Sequence, residues 1–112
     1  MLSALEKLLA RVNEIAKESM ALANPIRLLI LTIIASRKST SWLELKQTLE
    51  KLIGPVNPNT MAFHINKLVE VEYISREGPQ RSPRYTAKKI PGEVEELLKN
   101  LDEALREVEE HG

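Results

Sequence analysis

Two Asn-Pro pairs, at residues 24–25 and 57–58, each stand directly before a stretch with the apolar spacing of a helix. An asparagine side chain can cap a helix, and proline fits the first helical position because its missing N–H would have no partner there. The pairs therefore predict where two helices begin. The first is apolar on most sides, so we expect it at the centre of the core. The second spans residues 58–71, with an apolar face formed by Met61, Ile65 and Leu68.

Three further segments have the spacing of amphipathic helices. Residues 2–20 carry an apolar stripe, and residues 93–110 combine such a stripe with acidic residues in the first turn, where they suit the helix dipole. Between these two segments, a helix is predicted from Ser41 to the Gly54-Pro55 pair. Its start is indicated by Ser41 and Glu44, which have the spacing of a capping box.

A β-hairpin is predicted after residue 71. Residues 73–76 are a short apolar and β-branched strand candidate, residues 77–83 form a loop rich in turn residues, and residues 84–86 form a returning strand. The predicted fold class is therefore mainly α (α+β), with a two-stranded hairpin and flanking N- and C-terminal helices.

The chain has 112 residues and no cysteine. This length suits a single domain, which we divide into an N-terminal helix (1–20), a central unit (21–90) and a C-terminal helix (91–112). The lack of cysteine excludes disulfides and thiolate metal sites and fits a reducing cytosol. Charged residues among positions 1–20 exclude a signal peptide or a membrane span there, so we expect a soluble, cytoplasmic protein without a membrane partner.

Sixteen Lys and Arg residues balance sixteen Asp and Glu residues, but the charges are unevenly distributed. Residues 21–92 hold eleven basic against five acidic residues, a net +6, whereas residues 93–112 hold two basic against eight acidic residues, a net −6. A basic middle segment can neutralise phosphates while an acidic tail points away from them. The distribution is compatible with nucleic-acid binding, although ordinary surface charge would also produce it.

The predicted order of helix, helix, turn, helix and hairpin is that of a helix-turn-helix with a wing. Residues 22–31 (LANPIRLLIL), 60–69 (TMAFHINKLV) and 73–78 (YISREG) resemble, in this order, the opening helix, the recognition helix and the entry to the wing of ArsR-like and MarR-like winged-helix regulators. The resemblance spans roughly residues 20–90. It implies double-stranded DNA as the partner, with recognition helix 58–71 in the major groove and wing 77–84 on the minor groove or backbone.

The chain departs from the family pattern at Glu72, where the family usually has glycine, so helix 58–71 is expected to end without a left-handed glycine cap. Metal-sensing members of the family use clustered Cys, or His and Asp at helical spacing. This chain has only His64 and His111, and Asp102 has no partner ligand. We therefore expect no metal and no other cofactor.

Candidate DNA contacts lie on the predicted surface of helix 58–71 and in the hairpin loop. On the helix they are Asn57, Asn59, Thr60, Phe63, His64, Asn66 and Lys67, and at a flexible hairpin tip they are Gln80, Arg81 and Arg84. Asparagine can bond adenine bidentately, and arginine can enter a narrow minor groove or clamp phosphates. Two residues keep an alternative: Phe63 packs on a thymine methyl or against a neighbouring helix, and His64 is a DNA contact or a half-buried hydrogen-bonding residue.

The terminal helices carry apolar stripes that three helices and a hairpin could not cover completely, so we expect a homodimer. The candidate dimer contacts are Leu2, Leu5, Leu9, Val12, Val94, Leu97, Leu98, Leu101, Leu105 and Val108. Their heptad spacing lasts for only two or three repeats, so packing of the stripes within the chain is the alternative.

No sequence feature indicates catalysis, because clustered histidine, a glycine-rich phosphate loop and paired carboxylates near a cleft are all missing. We expect a sequence-specific DNA-binding regulator of transcription, not an enzyme. Two alternatives stay open: a weakly specific architectural DNA-binding protein, and a winged-helix module that binds another protein. The sequence does not identify a small-molecule effector.

Overall fold

The computed structural model describes residues 3–18, 22 and 24–111. In chain order, its elements are α1 (Ala4–Glu18), α2 (Pro25–Ala35), β1 (Thr40–Ser41), α3 (Trp42–Ile53), α4 (Pro58–Glu70), β2 (Ile74–Glu77), β3 (Arg84–Ala87) and α5 (Gly92–His111). The described part of the chain is therefore mainly helical with a small antiparallel sheet, which confirms the predicted α+β class. Within the same residues, none of the helices combines the length and apolarity needed to cross a bilayer.

Side-chain caps begin the helices where the sequence predicts them. The Asn24 side chain accepts hydrogen bonds from the first two free backbone N–H groups of α2, and the Asn57 side chain accepts one from α4. At the start of α3, the Ser41 hydroxyl accepts from the Glu44 N–H at 3.1 Å, while the Glu44 carboxylate accepts from the Ser41 N–H at 3.0 Å. These bonds satisfy backbone donors that a helix leaves without partners, so the predicted capping box and both Asn-Pro starts are confirmed.

Helix α2 lies at the centre of the core, as predicted. Every side chain from Leu28 to Ile34 is buried, and α2 contacts the other four helices and β3. The apolar face of α4 packs inward through Met61, Ile65 and Leu68, which are also buried. This packing fixes the orientation of α4, because residues on the opposite side of that helix must then face away from the core.

The predicted two-stranded hairpin is present as the antiparallel pair β2 and β3. A third strand, β1, which the sequence did not predict, extends it to a three-stranded sheet. Strand β1 pairs with β3 through Thr40 opposite Tyr85 and Ser41 opposite Arg84, and the strand order is β1-β3-β2. A strand of two residues has no alternation that a sequence could reveal, since its pairing depends on a partner more than 40 residues away. The added strand ties the loop end of the hairpin to the start of α3.

The turn between α4 and β2 is left-handed although it contains no glycine. Glu72 has a φ of 64°. The Tyr73 N–H donates to the Leu68 carbonyl and the Glu72 N–H to the Val69 carbonyl, both at 3.0 Å, which is the bonding pattern of a Schellman motif. As expected, no glycine follows α4. Glu72 nevertheless adopts the left-handed backbone conformation that glycine would favour.

Helices α1 and α5 pack against each other and against α2. Four of the residues assigned above to dimer contacts are consequently core residues, with at most 1% exposure: Val12, Val94, Leu97 and Leu101. This corrects their assignment, because the two stripes cover each other within one chain. Five other candidates remain partly exposed: Leu5, Leu9, Leu98, Leu105 and Val108. Leu2 lies outside the described residues.

Candidate nucleic-acid interface

The outer side of α4 presents polar side chains around one aromatic ring. Asn59, Thr60, Phe63 and Asn66 are exposed, and Lys67 is half-buried. These positions recur at spacings of three and four, so they form one stripe opposite the buried face. Asn57 is exposed at the start of the stripe, but its side-chain oxygen is engaged by the Asn59 N–H at 2.8 Å. Asn57 therefore holds the start of the helix.

His64 lies beneath this stripe with only 4% of its surface exposed. Its Nδ1 accepts a hydrogen bond from the Arg27 Nε at 3.2 Å. Burial lowers the pKa of the imidazole, and the charge of Arg27 lowers it further, so the neutral form that can accept this bond is favoured. Of the two expectations for His64, the structure agrees with the hydrogen-bonding residue and contradicts the direct DNA contact.

Arg27, in the first turn of α2, was not among the candidates from the sequence. Its guanidinium carbon lies 5.7 Å from the centre of the Phe63 ring, and the Lys67 Nζ lies 5.8 Å from the same centre. Arg27 is the only charged residue of α2. A cation in the first turn of a helix interacts unfavourably with the helix dipole. This unusual position in an otherwise apolar helix could have identified Arg27 as a candidate from the sequence.

Arg76, on β2, was missed in the same way. One of its Nη atoms donates to the Asn66 Oδ1 at 2.6 Å, and its guanidinium carbon lies 5.6 Å from the centre of the Tyr85 ring. The bond joins the hairpin to α4. We call the set of seven residues gathered in this way the α4 face: Arg27, Asn59, Thr60, Phe63, Asn66, Lys67 and Arg76.

The hairpin loop presents a different set of candidates from the one expected. Gln80 and Arg81 are exposed in the loop, and Gln80 and Arg76 line an open groove of about 500 Å³ beside it. Arg84 is not at the tip. It is the first residue of β3, where its Nε donates to the Ser39 Oγ at 2.7 Å and its guanidinium pairs with the Glu44 carboxylate at 3.3 Å.

The placement of Arg84 corrects the expectation of a flexible, free arginine. Pairing of β1 with β3 brings Ser41 opposite Arg84, and the capping carboxylate of Glu44 follows within one turn. The bond from the Ser41 backbone N–H is the main cause that lowers the pKa of Glu44, and Arg84 adds to it. The charge of Arg84 is therefore largely compensated by the Glu44 carboxylate.

Three arginines of the α4 face and the hairpin loop keep an uncompensated charge. Within the part of the chain that the structure describes, no carboxylate lies at ion-pair distance from Arg27, Arg76 or Arg81. Lys67, in contrast, lies 3.6 Å from Glu70. The α4 face and the hairpin loop therefore combine exposed hydrogen-bonding groups with guanidinium groups that are not neutralised, two of which, Arg27 and Arg76, are also oriented by hydrogen bonds. This arrangement is suited to a polyanion.

Comparison with known proteins found no match: no family model, no curated protein and no solved structure is similar to this chain. A role for the α4 face is therefore inferred from its own residues and geometry.

Proposed function

We propose that the protein is a cytoplasmic winged helix-turn-helix regulator of transcription that binds double-stranded DNA as a homodimer. Helix α4 enters the major groove, and the β2–β3 hairpin acts as a wing on the adjacent minor groove or backbone. The observation that carries the proposal is the α4 face, where exposed Asn and Thr side chains stand beside arginines that have no carboxylate partners among the described residues.

The exposed polar side chains have the chemistry to read base edges. Asn59 and Thr60 are exposed in the first turn of α4, the part of a recognition helix that meets the bases. Asn66 differs from Asn59 because its Oδ1 accepts a hydrogen bond from Arg76, which directs its amide N–H groups to donate to guanine or thymine acceptors. We assign base contacts to Asn59, Thr60 and Asn66.

The arginines have the chemistry to bind phosphate. The Nε of Arg27 is held by His64, which leaves its two Nη groups to form the bidentate bonds that guanidinium makes with phosphate. Arg81, exposed in the hairpin loop, reaches a second groove or the backbone beside it. These contacts position the helix, and the base contacts supply the sequence preference.

Two copies are needed to place two α4 helices on half-sites about one helical turn apart, roughly 34–36 Å. The apolar residues of α1 and α5 that stay partly exposed, among them Leu98, Leu105 and Val108, supply the surface for pairing. Dimerisation through these residues is part of the proposal, while the buried residues of the same helices hold the monomer together.

Fluorescence anisotropy tests the proposal. A duplex is selected from a random library with the wild-type protein, and its affinity is compared with that of a scrambled duplex at two salt concentrations. We expect Arg27→Ala and Arg81→Ala each to weaken binding by about tenfold and to lower the salt slope by about 1. Arg106→Ala is the matched control, because Arg106 pairs with Asp102 on α5, at 2.8 Å, and should leave binding unchanged.

Each alternative has its own outcome. Equal, strongly salt-dependent binding to selected and scrambled duplexes identifies an architectural DNA-binding protein. Failure of a folded protein to bind either duplex contradicts DNA recognition and leaves the protein-interaction module.

A further inference from the structure

Phe63 is the exposed aromatic residue at the middle of the α4 face. Its side chain is 53% exposed, and it belongs neither to the buried core nor to the partly buried residues packed against that core. Packing against a neighbouring helix, one of the two roles expected for Phe63, therefore leaves more than half of its side chain exposed. An apolar ring facing water in the centre of a polar stripe is the type of group that gains most from a partner.

The ring is held in a defined orientation. The edge contact with the His64 ring places the two ring centres 5.5 Å apart at an angle of 71°. Arg27 and Lys67 each lie within 6 Å of the ring centre, the range of cation–π attraction. Because these three neighbours limit its rotation, Phe63 can meet a partner with little further loss of side-chain entropy.

The same neighbours indicate where the ring goes. Arg27 and Lys67 are cations, and a duplex that binds them through phosphates brings the groove edges of its bases toward Phe63. In the major groove, the C5-methyl group of thymine is the apolar group that base pairs present. The exposed surface of Phe63 and the thymine methyl are thus complementary, whereas the polar edges of guanine and cytosine would lose hydration against the ring.

We propose that Phe63 determines sequence specificity by packing on the C5-methyl group of one thymine in each half-site. This inference rests on the proposed function and specifies the base, and the group on that base, that Phe63 contacts. Each half-site then contains one thymine whose methyl group, and not only its hydrogen-bonding edge, contributes to affinity.

Deoxyuridine isolates this contribution, because uracil differs from thymine only by the methyl group. Each thymine of the selected duplex is replaced in turn by deoxyuridine, and binding is measured by anisotropy at low salt, where weakened variants still bind. We expect one position per half-site at which uracil lowers wild-type affinity by about three- to fivefold, the effect of removing one buried methyl group. In Phe63→Ala, the same replacement should change affinity by less than about 1.5-fold.

Two further variants act as controls. Phe63→Leu keeps an apolar side chain and should retain part of the preference for thymine over uracil. Ile90→Ala removes a second exposed apolar side chain, outside the α4 face, and should leave the preference unchanged.

The possible failures are distinguishable. A wild-type protein that binds DNA but does not distinguish uracil from thymine at any position overturns the inference and leaves the proposed function intact. A preference that persists in Phe63→Ala overturns it as well, since another residue then reads the methyl group. A folded protein that binds no duplex overturns both the inference and the proposed function.

Discussion

The α4 face and the outer surface of α1 and α5 orient their arginines in different ways. On α1, Arg11 pairs with Glu14 and with Glu96 of α5, each at 2.9 Å, and both partners are acids. On the α4 face, Arg27 and Arg76 are held by a neutral imidazole and a neutral amide. The first arrangement cancels charge, and the second fixes the direction of the guanidinium while leaving its charge in place.

This difference explains how a chain with no net charge can still offer a binding surface to a polyanion. The acidic residues are concentrated on α5, where three of them, Glu96, Asp102 and Glu109, pair with basic residues of α1, α5 itself and α3. Neutral acceptors at the α4 face keep the guanidinium groups pre-oriented, so less side-chain entropy is lost when phosphate binds. The ion pairs of α1 and α5 therefore have a structural role, and the α4 face is the surface that suits the proposed binding role.

The largest effect is expected from removing a buried core side chain of α5. Leu101 is 1% exposed, so Leu101→Ala should lower the free energy of unfolding by about 2–5 kcal/mol, because burial is reduced and a cavity is left behind. Leu98→Ala, on the partly exposed side of the same helix, should cost less than about 1 kcal/mol. Urea denaturation followed by circular dichroism measures both.

Protein concentration separates the two roles of α5. Because dimer dissociation makes apparent stability concentration-dependent, unfolding is repeated at two concentrations. We expect the cost of Leu101→Ala to be the same at both, and Leu98→Ala to reduce the concentration dependence. A Leu101→Ala protein that unfolds normally but no longer dimerises would break the comparison, because α5 would then be a binding surface too.

Local signals were sufficient to predict the helices. Asn24, Asn57 and Ser41 cap their helices with bonds that span two or three residues, so the sequence alone contains both partners. The buried face of α4 was predictable for the same reason, since Met61, Ile65 and Leu68 follow the helical period.

Contacts between distant residues could not be predicted. The acceptor for Arg27 is 37 positions away, and that for Arg84 is 45 positions away. Sequence reasoning therefore left Arg27 out of the candidate site and treated Arg84 as free. The sequence also could not show which apolar residues of α1 and α5 are buried and which are exposed, because this depends on how α1 and α5 cross α2.

A smaller effect is expected where α4 meets β2. Glu72 is the only non-glycine residue with positive φ among those the structure describes, and that conformation costs a side-chain-bearing residue about 1 kcal/mol. Glu72→Gly should therefore raise the free energy of unfolding by about 0.5–1 kcal/mol. The same substitution removes the ion pair between Glu72 and Lys88, at 3.4 Å, but this pair is exposed and contributes little to stability.

Glu72→Ala is the control for this strain. It removes the same carboxylate but keeps a Cβ atom, so it should not be stabilising. If Gly and Ala variants unfold at the same urea concentration, the left-handed turn stores no strain. If only glycine stabilises, the strain lies in the turn that joins α4 to β2, beside the proposed binding face, and strain of this kind is common near functional sites.

The smallest effect is expected from the protonation of His64, which tests whether a neutral acceptor is what holds Arg27. The pKa of His64 is lowered in the folded protein, first by burial and second by Arg27, whereas the unfolded chain takes up the proton near the ordinary value of 6.5. Between 6.5 and the lower folded pKa, the unfolded state binds more protons, so the free energy of unfolding falls as the pH falls. The stabilisation is present above 6.5 and is lost below it.

Thermal unfolding from about pH 7.5 to about pH 5.5 measures this loss, over a range above the titration of the carboxylates. We expect the Tm of the wild type to fall with pH and that of His64→Asn to change less, because the Asn oxygen stands near the position of Nδ1 and accepts from Arg27 without titrating. His111→Gln controls for the other histidine and should follow the wild type. If the Tm of His64→Asn falls as much as that of the wild type, protonation of His64 does not weaken its bond with Arg27. A neutral acceptor would then not be what holds Arg27.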